Sequence, residues 1–188
     1  NHPAKYTAFD ICPANRVLNM LAAKEGKEYD EGGLMAASGK VDNAVLDKLN
    51  ALEYYTHPYP KSLANDFGTG VVFPIVDGLS TADALRTYVE HIVVQIKNAV
   101  DQLRPDKPDL KLLATGGGAL NGFMVERLRE VLDIEVVIPN KDLVQYKEAL
   151  IMALIGVLRW REESNVLASV TGASRNSIGG AVWVGQEA

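Results

Sequence analysis

The run from Leu112 to Asn121, Leu-Leu-Ala-Thr-Gly-Gly-Gly-Ala-Leu-Asn, has the clearest chemical potential in this sequence. An apolar stretch enters three adjacent glycines, and an amphipathic stretch follows at once. Three glycines strip every Cβ from one turn, so the backbone can meet a ligand closely. The helix behind the turn offers free N–H groups and a positive dipole end to an anion. This pattern suits a nucleotide held by Gly116, Gly117, Gly118 and Ala119, with Asn121 opening the helix. The plain alternative is a turn that only lets strand and helix pack tightly. The run is not a P-loop, because no Gly-Lys-Ser/Thr follows. Nor is it a dinucleotide fingerprint, because the glycines are contiguous and no acidic ribose ligand stands downstream.

Asp10 closes the stretch Tyr6-Thr7-Ala8-Phe9-Asp10-Ile11, which reads as a short strand. Ligands of open α/β sheets bind at the carboxyl ends of strands. A carboxylate there could act as a general base or hold a metal-bound phosphate, or it could merely form a turn. Glu148 falls in the first turn of a helix expected over Tyr146–Trp160. It could bond a sugar hydroxyl, but spacing alone favours complementing the helix dipole, worth about 0.3–1 kcal/mol. Lys61 and Ser62 follow the rigid loop His57-Pro58-Tyr59-Pro60 and could touch phosphate or simply be solvated. His2, His57, His91 and Cys12 lack metal-ligand spacing, which argues against a zinc site. Cys12 reads as a small buried hydrophobe rather than a nucleophile. Trp160 and Trp183 read as core or interface residues.

These residues need a scaffold, and the composition is that of an ordinary globular chain. It has 188 residues, 47% hydrophobic and 23% charged, with a net charge of −5. That length suits a single domain spanning residues 1–188. No basic stripe is present, which argues against nucleic acid as a partner. One cysteine excludes an internal disulfide and fits a reducing, cytoplasmic setting. No apolar run has membrane length, and no signal peptide is seen. The chain opens on Asn1 almost directly before a predicted strand, and it reads as a fragment of a longer protein.

Helices are expected where apolar residues recur every three to four positions. The first is capped by Asn15 and carries Val17, Leu18, Leu21 and Ala22, with Gly26 near its end. Tyr29 to Gly39 is a connector with room for a short helix. A second helix is capped by Asp42 or Asn43 and carries Val45, Leu46, Leu49 and Leu52. Gly68 to Gly78 reads as irregular. A long helix follows Ser80 or Thr81, presents Leu85, Tyr88, Val89, Ile92, Val93, Ile96 and Val100, and ends over Arg104–Pro108. Lys111–Thr115 reads as a buried strand and Glu135–Ile138 as another strand, with a helix over Asn121–Leu132 between them and a possible strand at Ala181–Val184. This alternation predicts an α/β fold with a short, mostly parallel sheet flanked by helices.

Several short motifs, in order, carry a family resemblance. They are Ala8-Phe9-Asp10 with Pro13 and Asn15; Tyr29-Asp30 with Gly33; Ala37-Ser38-Gly39-Lys40-Val41-Asp42; Pro60-Lys61-Ser62; Gly116-Gly117-Gly118-Ala119 with Asn121; Lys147-Glu148-Ala149-Leu150; and Ser169-Val170-Thr171-Gly172-Ala173-Ser174. Over nearly its whole length the chain resembles the C-terminal half of anhydro-N-acetylmuramic acid kinases, of the actin-like sugar-kinase superfamily. The resemblance implies the C-terminal lobe of an actin-like, ribonuclease H-like fold. The N-terminal lobe and the Gly-rich hairpin before Asp10 are absent from this sequence. It also implies ATP and Mg2+, a small sugar acceptor, phosphorylation at O6, and a missing lobe and a homodimer as partners. By the same resemblance Asp10 activates water, Glu148 and Asn15 contact the sugar, and Gly116–Ala119 hold the nucleotide. Cys12 and Ala14 stand where the family pattern has glycine, and Leu63-Ala64-Asn65-Asp66 replaces its usual Thr-Gly-Arg-Glu. Those departures leave open a non-catalytic relative, or a kinase of the superfamily acting on another sugar.

Overall fold

The computed structural model describes residues 6–64, 66–103, 110–183 and 185. Its spine is the long helix predicted from the apolar spacing. In chain order the elements are α1 (Asn15–Ala23), α2 (Leu34–Ser38), α3 (Asn43–Asn50), α4 (Phe73–Val76), α5 (Thr81–Leu103), β1 (Lys111–Leu113), α6 (Gly122–Val131), β2 (Glu135–Val137), α7 (Lys141–Trp160) and α8 (Ala168–Thr171). Helices α1, α2, α3 and α6 all pack on α5. Leu85, Tyr88, Val89, Ile92 and Val93 of α5 are buried with Val17, Leu18 and Leu21 of α1 in one apolar cluster. The expected helix faces are therefore the ones that meet.

The caps follow local chemistry. Asp42 accepts the Val45 N–H at 2.9 Å and starts α3. Before α5, Asp83 N–H donates to Ser80 Oγ at 3.3 Å while Ser80 Oγ donates to Asp83 Oδ2 at 2.7 Å. This reciprocal pair satisfies the open helix end. Strands β1 and β2 pair in parallel, Leu112 opposite Val136, with α6 as the crossover. The fold is thus α/β with a short two-stranded parallel sheet among many helices.

Several expectations need correction. The first strand is short and not buried: β1 ends at Leu113, and Lys111 and Leu113 are exposed because only β2 pairs with it among the described residues. Tyr6–Ile11 is extended without regular strand structure. A strand exists only through its ladder, and here Asp10 N–H donates to the Lys61 carbonyl at 3.2 Å with no neighbouring strand among the described residues. Phe67–Val72 is not irregular; it forms a π-helical turn that runs into α4. Gly68 there lies against the side chains of Pro13 and Val17, so the wide turn packs closely on the start of α1. Asn15 is the first residue of α1 rather than its cap, a position Ala14 takes without a side-chain bond. Residues Ala181–Trp183 carry no strand, and Val184 lies outside the described residues, as does the expected helix end at Arg104–Pro108.

Helix α7 starts at Lys141, capped by Asn140, five residues ahead of expectation. Val144 is buried, but Tyr146, Leu150, Ile151, Leu154, Val157 and Trp160 are exposed. Trp160 and Trp183, at 74% and 92% exposure, are not core residues of this chain. A contiguous apolar face of this kind marks an interaction surface.

Two polar groups hold the helical half together. Glu90 of α5 is buried and takes Arg127 of α6 at 2.7 and 3.2 Å, with Arg86 at 3.3 Å. His91, fully buried, bonds Asn50 through Nδ1 at 2.7 Å and Tyr55 through Nε2 at 2.8 Å. Asn50 Oδ1 also accepts from Gln95, so His91 Nδ1 donates to it and Nε2 accepts the Tyr55 hydroxyl. Desolvation lowers the imidazole from its ordinary 6.5 to about 4. The folded state therefore binds fewer protons than the unfolded chain between those values. Stability from this site is complete above pH 6.5 and drains as pH falls towards 4, at about 1.36 kcal/mol per unit. Urea denaturation of the whole protein at pH 7 and pH 4.5 is expected to show a loss on the order of 2–3 kcal/mol. The His91→Gln variant lacks this component, and equal pH slopes for the two proteins would contradict the assignment.

Candidate functional site

The glycine run is an open turn at the end of β1. The Ala114 N–H donates to the Val137 carbonyl at 3.0 Å and closes the ladder. Gly116 then adopts φ 77°, ψ −175°, a conformation essentially reserved for glycine. A tight 3₁₀ turn over Gly117–Leu120 follows, and Asn121 caps α6 by accepting the Met124 N–H at 3.0 Å. Gly117 is exposed, and Gly116, Gly118 and Ala119 are partly so. Lys147 of α7 reaches back to donate to Thr115 Oγ1 at 2.8 Å, fixing α7 beside the turn.

Asn15 lies beside this turn from the other side. A Cβ on Gly117 would stand 3.2 Å from Asn15 Nδ2, and one on Gly118 would stand 3.3 Å from Asn15 Oδ1. A side chain at either position would press on the asparagine amide, which would have to shift by a few tenths of an ångström. Between them opens a cleft of about 490 Å³ lined by Asn15, Asn19, Tyr29, Gly32, Gly117 and Asn121 among others. Its lip at Tyr29–Gly33 is braced by Asp30, a buried carboxylate that accepts the Met35 and Ala36 N–H groups at 2.9 Å each.

Glu148 lines a second cleft of about 300 Å³ with Gly116, Gly117, Leu120 and Lys147. Because α7 begins at Lys141, Glu148 sits two turns inside the helix rather than in its first turn. The dipole effect fades within the first turn, so that explanation for a carboxylate at this position is gone. What remains is an exposed acid beside the glycine turn.

Asp10 occupies a separate cleft of about 220 Å³ with Cys12, Arg16, Leu63 and Gly68. Its carboxylate is oriented, since Oδ2 accepts the Leu63 N–H at 2.8 Å. Its backbone is held by the Lys61 carbonyl and by the Tyr54 hydroxyl, which donates to the Asp10 carbonyl. Phe9 stacks on Tyr59 at 5.4 Å, and the Lys61 amine sits 4.6 Å over the Tyr54 ring. Burial lowers the pKa of that amine. The first turn of α1 joins the clefts, with Asn15 beside the glycine turn and Arg16 lining the cleft of Asp10.

The family model for anhydro-N-acetylmuramic acid kinase matches residues 2–185. The chain belongs to the anhydro-N-acetylmuramic acid kinase family. Proteins of that name from Synechococcus elongatus, Gloeobacter violaceus and Haemophilus influenzae are 30%, 32% and 32% identical, over 97%, 92% and 93% of this chain. The same matches cover 52%, 48% and 50% of those relatives, so the chain spans about half their length.

Against the anhydro-N-acetylmuramic acid kinase pattern, Cys12 is accommodated as an uncharged group. Desolvation pushes its thiol up to about 12, which keeps it protonated at neutral pH. Pro13 is fixed next to it, since its carbonyl accepts the Tyr88 hydroxyl. Sequence reasoning missed three features of the site: Arg16 in the Asp10 cleft, Tyr54 as the anchor of Asp10, and Gly33 against Asn121. Arg16 carried a signal, because a charged residue beside the buried Val17 must face outward. The other two depend on contacts across distant parts of the chain and left no local trace.

Proposed function

We propose that this chain is the C-terminal lobe, one domain over residues 1–188, of a two-lobe actin-like kinase that uses ATP. It opens 1,6-anhydro-N-acetylmuramic acid with water and phosphorylates the sugar at O6. The observation that supports this best is the open, side-chain-free turn Gly116–Ala119 with the Asn15 amide beside it. Family membership supports reading that turn as a phosphate cradle, since backbone amides and a helix N-terminus together favour an anion.

In this reading Gly116, Gly117, Gly118 and Ala119 face the phosphates, and the 490 Å³ cleft that Asn121 borders takes the nucleoside. Mg2+ would enter on the ATP phosphates and would supply charge neutralisation for the transferring group. Asp10 removes a proton from water as the oxygen attacks the anomeric carbon. The C1–O6 bond breaks, and O6 becomes the acceptor of the γ-phosphoryl group. The Leu63 N–H keeps the carboxylate aimed. Glu148 and Asn15, each bordering Gly117, bond sugar hydroxyls where sugar and phosphate meet.

The remainder of the protein covers the apolar face of α7. It also covers the groove of about 230 Å³ where Ile11, Ile96, Val100 and Ile134 meet β1. Among the described residues no helix is long and apolar enough to cross a membrane.

The test is isotopic. The whole protein is incubated with the anhydro sugar, ATP and Mg2+ in H2-18O. N-acetylmuramic acid 6-phosphate is expected with one 18O at C1 and none in the phosphoryl group. Label appearing in free phosphate, with no sugar phosphate formed, would replace the kinase reading with simple ATP hydrolysis.

A further inference from the structure

The cleft that holds Asp10 also holds a cation that the fold does not use. Arg16 is the second residue of α1; Val17 and Leu18 turn into the core, and Arg16 turns out. Its side chain lines the same 220 Å³ cleft as Asp10, Leu63 and Gly68. Other cations of the helical half are committed elsewhere. Lys61 sits over the Tyr54 ring and donates to the Tyr54 carbonyl at 3.1 Å. Arg86 and Arg127 are taken by Glu90. Arg16 makes no ion pair or hydrogen bond among the described residues.

We propose that Arg16 determines specificity by pairing with the carboxylate of an acidic sugar in the Asp10 cleft. The inference rests on the kinase reading above and adds how the acid is chosen. A general base must enter the reaction ionised, so Asp10 repels any second carboxylate brought into its cleft. A chain of net charge −5 adds to that repulsion rather than relieving it. A guanidinium resolves the conflict, because its planar fork matches a carboxylate with two parallel N–H bonds and stays charged at every working pH. A neutral sugar would leave the guanidinium without its partner, so the site prefers the acid. Nucleotide phosphate is the other anion in this chemistry. Neither cleft on the glycine turn assigned to the phosphates includes Arg16, which instead borders the cleft of Asp10, the base that acts on the sugar.

The experiment compares two substrates in the whole protein: 1,6-anhydro-N-acetylmuramic acid and 1,6-anhydro-N-acetylglucosamine, which lacks the acidic ether. kcat/KM for each sugar and KM for ATP are measured for wild type, Arg16→Gln and Arg16→Lys. Arg16→Gln is expected to lower the preference for the acid by about 30-fold, through KM for the acid, with KM for ATP held. Arg16→Lys should recover part of the preference, since it restores the charge without the fork. An unchanged preference in both variants overturns the proposal. So does a rise in KM for ATP without a change in sugar preference, which would move Arg16 to the nucleotide. If wild type turns over neither sugar, the kinase reading itself fails, and the role of Arg16 falls with it.

Discussion

Asp10→Asn in the whole protein is expected to lower kcat by at least about 10²-fold while ATP affinity is retained, the usual scale for loss of a general base. The substitution is informative because so little else changes. An asparagine Oδ1 can still accept the Leu63 N–H that now orients the carboxylate at 2.8 Å. The backbone bonds to the Lys61 carbonyl and from the Tyr54 hydroxyl do not involve the side chain. Shape, anchoring and the cleft beside Cys12 and Gly68 therefore persist, and only the ability to take a proton is removed. Asp10→Ala is a different experiment, since it also strips the Leu63 N–H of its acceptor and frees the loop. Measured by steady-state sugar phosphate formation, a rate for Asp10→Asn within threefold of wild type would show that another group deprotonates water. A large loss in ATP binding instead would mean that the carboxylate serves the nucleotide.

The difference between what the sequence disclosed and what it withheld follows the range of the interactions. Helix α5 was legible because Leu85, Tyr88, Ile92 and Ile96 repeat on one face, and burial of such a stripe is a local consequence of the period. Asp42 and Asn121 were legible as helix starts because a cap is made within three residues. The glycine turn was legible for the same reason, as its tight geometry is built from its own backbone.

Tyr6–Ile11 has strand composition, but a strand is decided by a partner elsewhere, and the described residues supply only the loop at Lys61. Phe67–Val72 looked irregular because its two glycines weaken helix propensity, yet close packing of Gly68 on Pro13 and Val17 outweighs that. Asn15 was read as a cap from its type, whereas tertiary contact turned its amide to the glycine turn. Glu148 was misplaced within α7 because the helix start was set by Asn140 rather than by the apolar period.

Gly33→Ala is expected to cost about 3 kcal/mol of stability, from two separable causes. The first is local. Gly33 has φ 76°, where an added Cβ is strained by about 1–2 kcal/mol. The second is tertiary. A Cβ at Gly33 would stand 2.2 Å from Asn121 Oδ1 and 2.6 Å from Phe123 Cβ, so the neighbours must move. Asn121 cannot move without loosening its bond to the Met124 N–H, and losing a cap costs about 1 kcal/mol. Phe123 cannot move freely either, because Arg86 lies over its ring at 4.7 Å. A smaller unfolded-state entropy offsets part of this cost, by about 0.4–1 kcal/mol. Gly26→Ala is the matched control, with φ 70° and nothing within 4 Å of the added Cβ. It carries only the local strain, about 1 kcal/mol net. Urea denaturation of both variants gives the tertiary contribution as their difference. Because Asn121 also ends the glycine turn, Gly33→Ala should weaken ATP binding by isothermal titration where Gly26→Ala does not. Equal stabilities for the two variants would mean that the Tyr29–Gly33 lip slides freely past α6, and the turn would then owe its shape to β1 and α6 alone.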